Sequence, residues 1–284
     1  MQKYLSSFFV LVFSAMLFPM SVSAQRLIIS ATPQNAPAFS RQEAASAQKD
    51  PGYFTISTDS VRVTLKKVSS ETGGTFVQMQ EPGAGGVDAV LDTIDHIINT
   101  ASKIWSIVQQ NAPVVNISGK YATAYPQGVT SAAQLAGWSM PKTYEYEFSA
   151  NNLYGATMIN CKYRVTFSYN GAYKGKGKFL TAVAVIPESV DVGWGYHFDM
   201  NADVPDSTIV NVGTDADPVA AMQLKLSWKM STVLKEVDGT SVYYVQGNGL
   251  FNEIASPWQK GVARLQDVKA AQPLLDGVSF DGNF

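Results

Sequence analysis

Residues 159–169 read INCKYRVTFSY. Ile159, Cys161, Tyr163, Val165, Phe167 and Tyr169 alternate with Asn160, Lys162, Arg164, Thr166 and Ser168. Successive side chains of a strand point to opposite faces, so this run has one apolar and one polar face. A helix would scatter the same residues around its circumference. The stretch reads as a half-buried β-strand, and its neighbours repeat the pattern.

Upstream, Tyr144, Tyr146 and Phe148 alternate with Thr143, Glu145 and Glu147. Downstream, Val190, Val192, Trp194, Tyr196, Phe198 and Met200 alternate with Asp191, Gly193, Gly195, His197 and Asp199, and Leu224, Leu226, Trp228 and Met230 with Lys225, Ser227 and Lys229. Asn170-Gly171 and Asp238-Gly239 suit right-twisted hairpins, because both central residues of a type I′ turn need positive φ. The second of these predicts pairing of 233–237 with 240–246. Seven or more such runs, spaced by turn signals, predict a mainly β protein: an antiparallel two-sheet β-sandwich over 113–266, followed by a tail over 267–284.

Ahead of this body the period changes. Val87, Val90, Leu91, Ile94, Ile97, Ile98, Ala101, Ile104, Trp105 and Val108 recur at three and four residues, with Asp88, Asp92, Asp95, Asn99, Ser102, Lys103 and Ser106 largely opposite. That spacing predicts one long amphipathic α-helix over 87–110, with Asp88 in its first turn and Asn111-Ala112-Pro113 ending it. Residues 53–86 carry short β-runs. They end in the run EPGAGG at 81–86, a hinge in which glycine and proline weaken both helix and ladder. Residues 25–52, rich in Ala, Gln, Ser and Pro, read as an extended arm or linker.

Residues 1–24 read as a cleaved secretory signal peptide. Lys3 gives the short charged start, residues 8–18 the apolar stretch, and Val22-Ser23-Ala24 the small residues before the cut. The apolar stretch falls short of the ~20 residues of a membrane span. Export to a periplasm or beyond follows, with a mature chain starting at Gln25. The single cysteine, Cys161, rules out an intramolecular disulfide, so stability must come from a core, for which 46% hydrophobic residues supply material. A formal charge of −2 gives no basic field to neutralise phosphates, which argues against nucleic acid.

Candidate chemistry is sparse. The histidines, His96 and His197, show no metal-ligand spacing, and Cys161 falls in an apolar strand register where a thiolate is disfavoured. There is no nucleophile elbow, phosphate loop or dinucleotide fingerprint. Asp199, Asn201, Asp203 and Asp206 space oxygen ligands as calcium prefers, but Val204 and Pro205 stand where a calcium loop turns on glycine. No other cofactor is implied. Exposed aromatics beside polar loops would suit a glycan or a cell surface, with Trp138, Trp194, Trp228 and Trp258 the residues to inspect; the strand registers of Trp194 and Trp228 predict core.

Three functional expectations result. The first is a secreted, non-catalytic binding or structural protein whose partner is a protein, glycan or cell surface. The second is a membrane-active protein, pore-forming or lipid-binding, that uses the helix 87–110: about 36 Å of helix can cross about 30 Å of hydrocarbon. Its acidic polar face weighs against that use. The third is a secreted glycan-active hydrolase using paired carboxylates.

Overall fold

A computed structural model of the chain describes residues 39–70, 96–114 and 120–256. The expected signal peptide at 1–24, the expected hinge at 81–86, the start of the expected helix, Trp258 and the expected tail lie outside the described residues. Two short helices, α1 (Arg41–Lys49) and α2 (Pro51–Phe54), come first. The strands follow: β1 (Arg62–Ser70), β2 (Ile97–Ile98), β3 (Ile104–Gln109), β4 (Ala112–Pro113), β5 (Ala122–Pro126), β6 (Lys142–Asn151), β7 (Thr157–Tyr173) and β8 (Lys176–Val192). The last are β9 (His197–Asp203), β10 (Val210–Asn211), β11 (Ala220–Ser231), β12 (Glu236–Gln246) and β13 (Phe251–Ala255).

The strands form two antiparallel sheets. One has the order β1-β6-β7-β8-β5-β2; the other has the order β13-β12-β11-β9-β3-β4, with β10 also paired to β11. The alternating run at 159–169 lies in β7, between β6 and β8, with Cys161 opposite Phe148 on one side and Val190 on the other. Inward side chains of the two sheets meet in one aromatic core. Phe148 of β6 lies with its ring centre 4.9 Å from that of Phe198 in β9 and 5.1 Å from that of Trp228 in β11. Tyr146 reaches Tyr243 of β12 at 5.1 Å, and the hydroxyls of Tyr163 and Tyr243 share a hydrogen bond of 2.8 Å.

Both sheets carry ion pairs on their outward faces. On the first sheet Lys66 pairs with Glu147, Lys67 with Glu145 and Arg164 with Glu188; on the second Lys229 pairs with Glu236. Exposed pairs of this kind add only about 0–1 kcal/mol each. Ile104, Val210 and Ile254 of the second sheet are exposed as well.

The long helix over 87–110 is not formed where the chain is described. Residues 97–98 and 104–109 are β2 and β3, in different sheets. The side chain of Asn99 turns the chain between them, accepting from the amides of Ala101 and Thr123. A register shift between Ser106 and Val108 marks a bulge in β3, and Ile107 and Val108 are both buried beside buried Trp105. The bulge thus produces an inward pattern that imitates helical spacing. Isoleucine, valine and tryptophan fill the segment and favour the extended form once a partner strand is present. Ile104, assigned to the helix's apolar stripe, is instead 71% exposed. Residues 96–110, which the membrane-active reading takes as helix, are strands and turns instead.

The expected arm also differs, since α1 and α2 occupy 41–54. Ser40 accepts from the Glu43 amide while the Glu43 carboxylate accepts from the Ser40 amide, a reciprocal cap that starts α1. Two hairpin predictions are displaced as well. Asn170, at φ 65°, sits inside β7 among register shifts, and the β7–β8 reversal occurs at Lys174 and Gly175, both with positive φ. Asp238 and Gly239 lie within β12 opposite Lys229 and Trp228. The β11–β12 reversal falls at 232–235, where the Thr232 hydroxyl accepts from the amides of Leu234 and Lys235.

Candidate functional site at the turn-bearing end

Strand register brings four turns to one end of the body. Ile159 pairs with Val192, so the β6–β7 turn and the β8–β9 turn lie together. His197 pairs with Ser231, which adds the β11–β12 turn, and the β3–β4 turn at Gln110 and Asn111 joins them. Each turn is fixed by its own chemistry. Asn152 accepts from the amides of Tyr154 and Ala156, so Leu153 and Tyr154 form the tip. Asn111, at φ 65°, donates to the Tyr196 carbonyl and accepts from the Phe198 amide, tying the β3–β4 turn to the start of β9.

The β8–β9 turn carries the chain from one sheet to the other. It also ends the alternation that had placed Trp194 in the core: Trp194 is 50% exposed, flanked by Gly193 and Gly195. Gly195 has φ 77°, and a Cβ there would lie 2.4 Å from the Phe54 ring. Gly195→Ala is therefore expected to destabilise the protein by at least about 1 kcal/mol, through left-handed backbone and the displaced ring, measured as a lower denaturant midpoint. Tyr53 donates to the Trp194 carbonyl, and the Phe54 ring meets the indole edge to face at 5.6 Å. Leu153 and Tyr154 of the β6–β7 turn are 59% and 67% exposed and Leu234 of the β11–β12 turn 47%, so with Trp194 three turns at this end display large apolar side chains.

Between these turns lies an open cleft of about 530 Å³, lined by Asn111, Thr157, Met158, Asn160, Asp191 and Gly193 among others. Its floor is the β7–β8 ladder, in which Asn160 pairs with Asp191. Asn160 donates to Glu147 at 2.7 Å. That bond, with the Lys66 ammonium, holds the Glu147 carboxyl below its usual range. Asp191 and Thr157 are exposed. The cleft thus presents the Thr157 hydroxyl and the Asp191 carboxylate, while the Trp194 indole packs against Phe54 and is not among its lining residues.

The other candidates lie outside the cleft. Asp199, Asn201 and Asp203 are successive outward residues of β9, about 7 Å apart along a strand. Asp199 accepts from the Gln110 amide, and Asp206 pairs with Lys103. Calcium would need oxygens at about 2.3–2.6 Å. Among the described residues no three His, Cys, Asp or Glu side chains gather as a metal site. His96 is exposed ahead of β2, while His197 meets the Phe39 ring at 4.7 Å, so the two do not share a site. Trp228 is buried, as its register predicts, and Trp138 is half-buried, donating to the Ala132 carbonyl.

Cys161 is fully buried, and burial pushes its thiol up to about 12. Thiolate is then scarce at neutral pH. An aromatic disulfide reagent is expected to leave Cys161 unmodified in the folded protein and to titrate one thiol in denaturant; rapid labelling of the folded chain would contradict this burial.

Asn111 and the Leu153-Tyr154 tip were not singled out from sequence. The signal for the tip is the turn composition Asn152…Gly155, while in the sequence Asn111 reads as part of a helix stop. No protein-family model, curated protein or solved structure matches the chain.

Proposed function

We propose that this chain is an exported, non-catalytic binding protein, built on a two-sheet β-sandwich, whose ligand surface is the turn-bearing end. The observation that carries the reading is Trp194, half exposed on a glycine-flanked turn beside a polar cleft. A large aromatic held at the surface by the contacts of Tyr53 and Phe54 is an anchor available to a partner at little ordering cost. The wet outward faces and the inward core support a body stable in water, and the buried thiol and separated histidines support binding rather than nucleophilic chemistry. Export rests on the leader at 1–24, and the sandwich assignment on the core contacts between the two sheets.

Two measurements test the reading. Intact mass of the protein recovered from the cell envelope or medium is expected to correspond to a chain beginning at Gln25, whereas a retained leader in the cytoplasm contradicts export. The purified protein, applied to an array of glycans and extracellular matrix proteins, is expected to give a saturable signal without loss or cleavage of the spotted ligand. No saturable signal on any surface, or ligand cleavage, would overturn the binding assignment.

A further inference from the structure

Resting on the binding assignment, we infer that residues 50–56 position the ligand surface, as a single segment to which all three turns with exposed Trp, Tyr or Leu side chains are fastened. The reason begins with the shortness of α2. A helix of four residues leaves its last carbonyls without intrahelical partners, so they must be satisfied from outside. The turns supply the donors. The Leu153 amide donates to the Gly52 carbonyl at 3.3 Å, the Tyr196 hydroxyl to the Tyr53 carbonyl, the Thr232 hydroxyl to the Phe54 carbonyl at 2.6 Å, and the Lys235 ammonium to the Ile56 carbonyl at 2.9 Å. The β6–β7, β8–β9 and β11–β12 turns are thereby tied to one stretch of backbone.

The displayed side chains are seated on the same segment. The Tyr154 ring lies on Gly52, where a Cβ would be 2.5 Å from the far end of the ring, and its hydroxyl donates to the Asp50 carboxylate at 2.6 Å. The Tyr53 hydroxyl donates to the Trp194 carbonyl at 3.2 Å, and the Phe54 ring meets the indole. Phe54 and Ile56 are buried, and Ile56 bridges to Asn152, so the segment takes its own position from the body of the protein. Tyr154 and Trp194, on different turns, are thus held at a spacing that a partner meets without reordering them. Gly52 and Tyr53 are positioning residues that act through Tyr154 and Trp194.

The test uses the full mature chain and whichever spotted glycan or matrix protein of the array gives the strongest saturable signal. In Gly52→Ala the added methyl meets only the far end of the exposed Tyr154, which swings into solvent. The denaturant midpoint is therefore expected to stay at the wild-type value while affinity falls at least about threefold. In a Tyr154→Ala background the same substitution is expected to change affinity by less than about twofold, because its effect runs through that ring. Tyr53→Phe removes only the hydroxyl and is expected to weaken binding about threefold. It is also expected to shift the Trp194 line in the fluorine spectrum of the 5-fluorotryptophan-labelled chain, assigned among five tryptophans by its loss in Trp194→Phe. Affinity unchanged in both Gly52→Ala and Tyr53→Phe, or a Gly52→Ala loss that persists without the Tyr154 ring, overturns the positioning claim. Absence of any array signal from the wild-type chain fails the binding reading instead. The fluorine spectrum then judges the positioning claim, which a shifted Trp194 line in Tyr53→Phe upholds and an unmoved one overturns.

Discussion

Phe148→Ala is expected to destabilise the protein by about 3–5 kcal/mol, measured by the shift in denaturant midpoint at unchanged slope. Phe148 is completely buried and is the ring at which the sheets meet, touching Phe198 and Trp228 of the second sheet from β6 of the first. Truncation removes transfer free energy and leaves a cavity, and the facing rings, fixed in their own strands, are poorly placed to refill it. A loss below about 1 kcal/mol would mean that the two sheets do not share this core.

The second large effect concerns the hydroxyl pair at the centre of that core. Tyr163 and Tyr243 are fully buried, and burial pushes both phenols well above their ordinary range, so both stay neutral. Their hydroxyls satisfy each other at 2.8 Å. Tyr243→Phe strands the Tyr163 hydroxyl, and the expected loss is about 1–3 kcal/mol. Removing both hydroxyls, Tyr163→Phe with Tyr243→Phe, strands neither, so the double variant is expected to be more stable than the sum of its singles implies. A double-mutant cycle measured by denaturation reads that coupling. Additive losses would mean that the pair does not bond across the sheets.

How much of this was legible in the sequence depended on whether local pattern and tertiary partner agreed. In β6, β7 and β11 they did: one face of each meets the opposite sheet and the other meets water, so the period of two appears directly in the residues. In β3 they disagreed. A bulge turned Ile107 and Val108 inward together, and the helical spacing that resulted came from a distorted strand whose partner, β9, is remote in sequence. Turn dipeptides misled for a related reason. Asp238-Gly239 has the composition of a hairpin, but the Thr232 hydroxyl makes the reversal six residues earlier, and pairing with β11 then carries Asp238 and Gly239 along a strand.

The candidate site was less legible than the fold. Trp194 continues the alternation of β8 into β9, so parity alone sends it to the core; what removes it is the crossing between sheets at Gly193 to Tyr196, which no local pattern encodes. Asn111, Thr157 and Asp191 come from three different strands or turns and converge only through register.

The central claim is that binding belongs to the turn-bearing end. Its most direct test is an end-against-end comparison on the array ligand with the strongest saturable signal. Trp194→Ala and the Leu153→Ser/Tyr154→Ser pair alter the turn-bearing end, and Lys174→Ala with Met140→Ser alter exposed positions away from it. The account predicts at least a tenfold loss of affinity for the first set and a change below twofold for the second, with all variants retaining wild-type circular dichroism. Loss confined to the second set, or no loss in either, would contradict it.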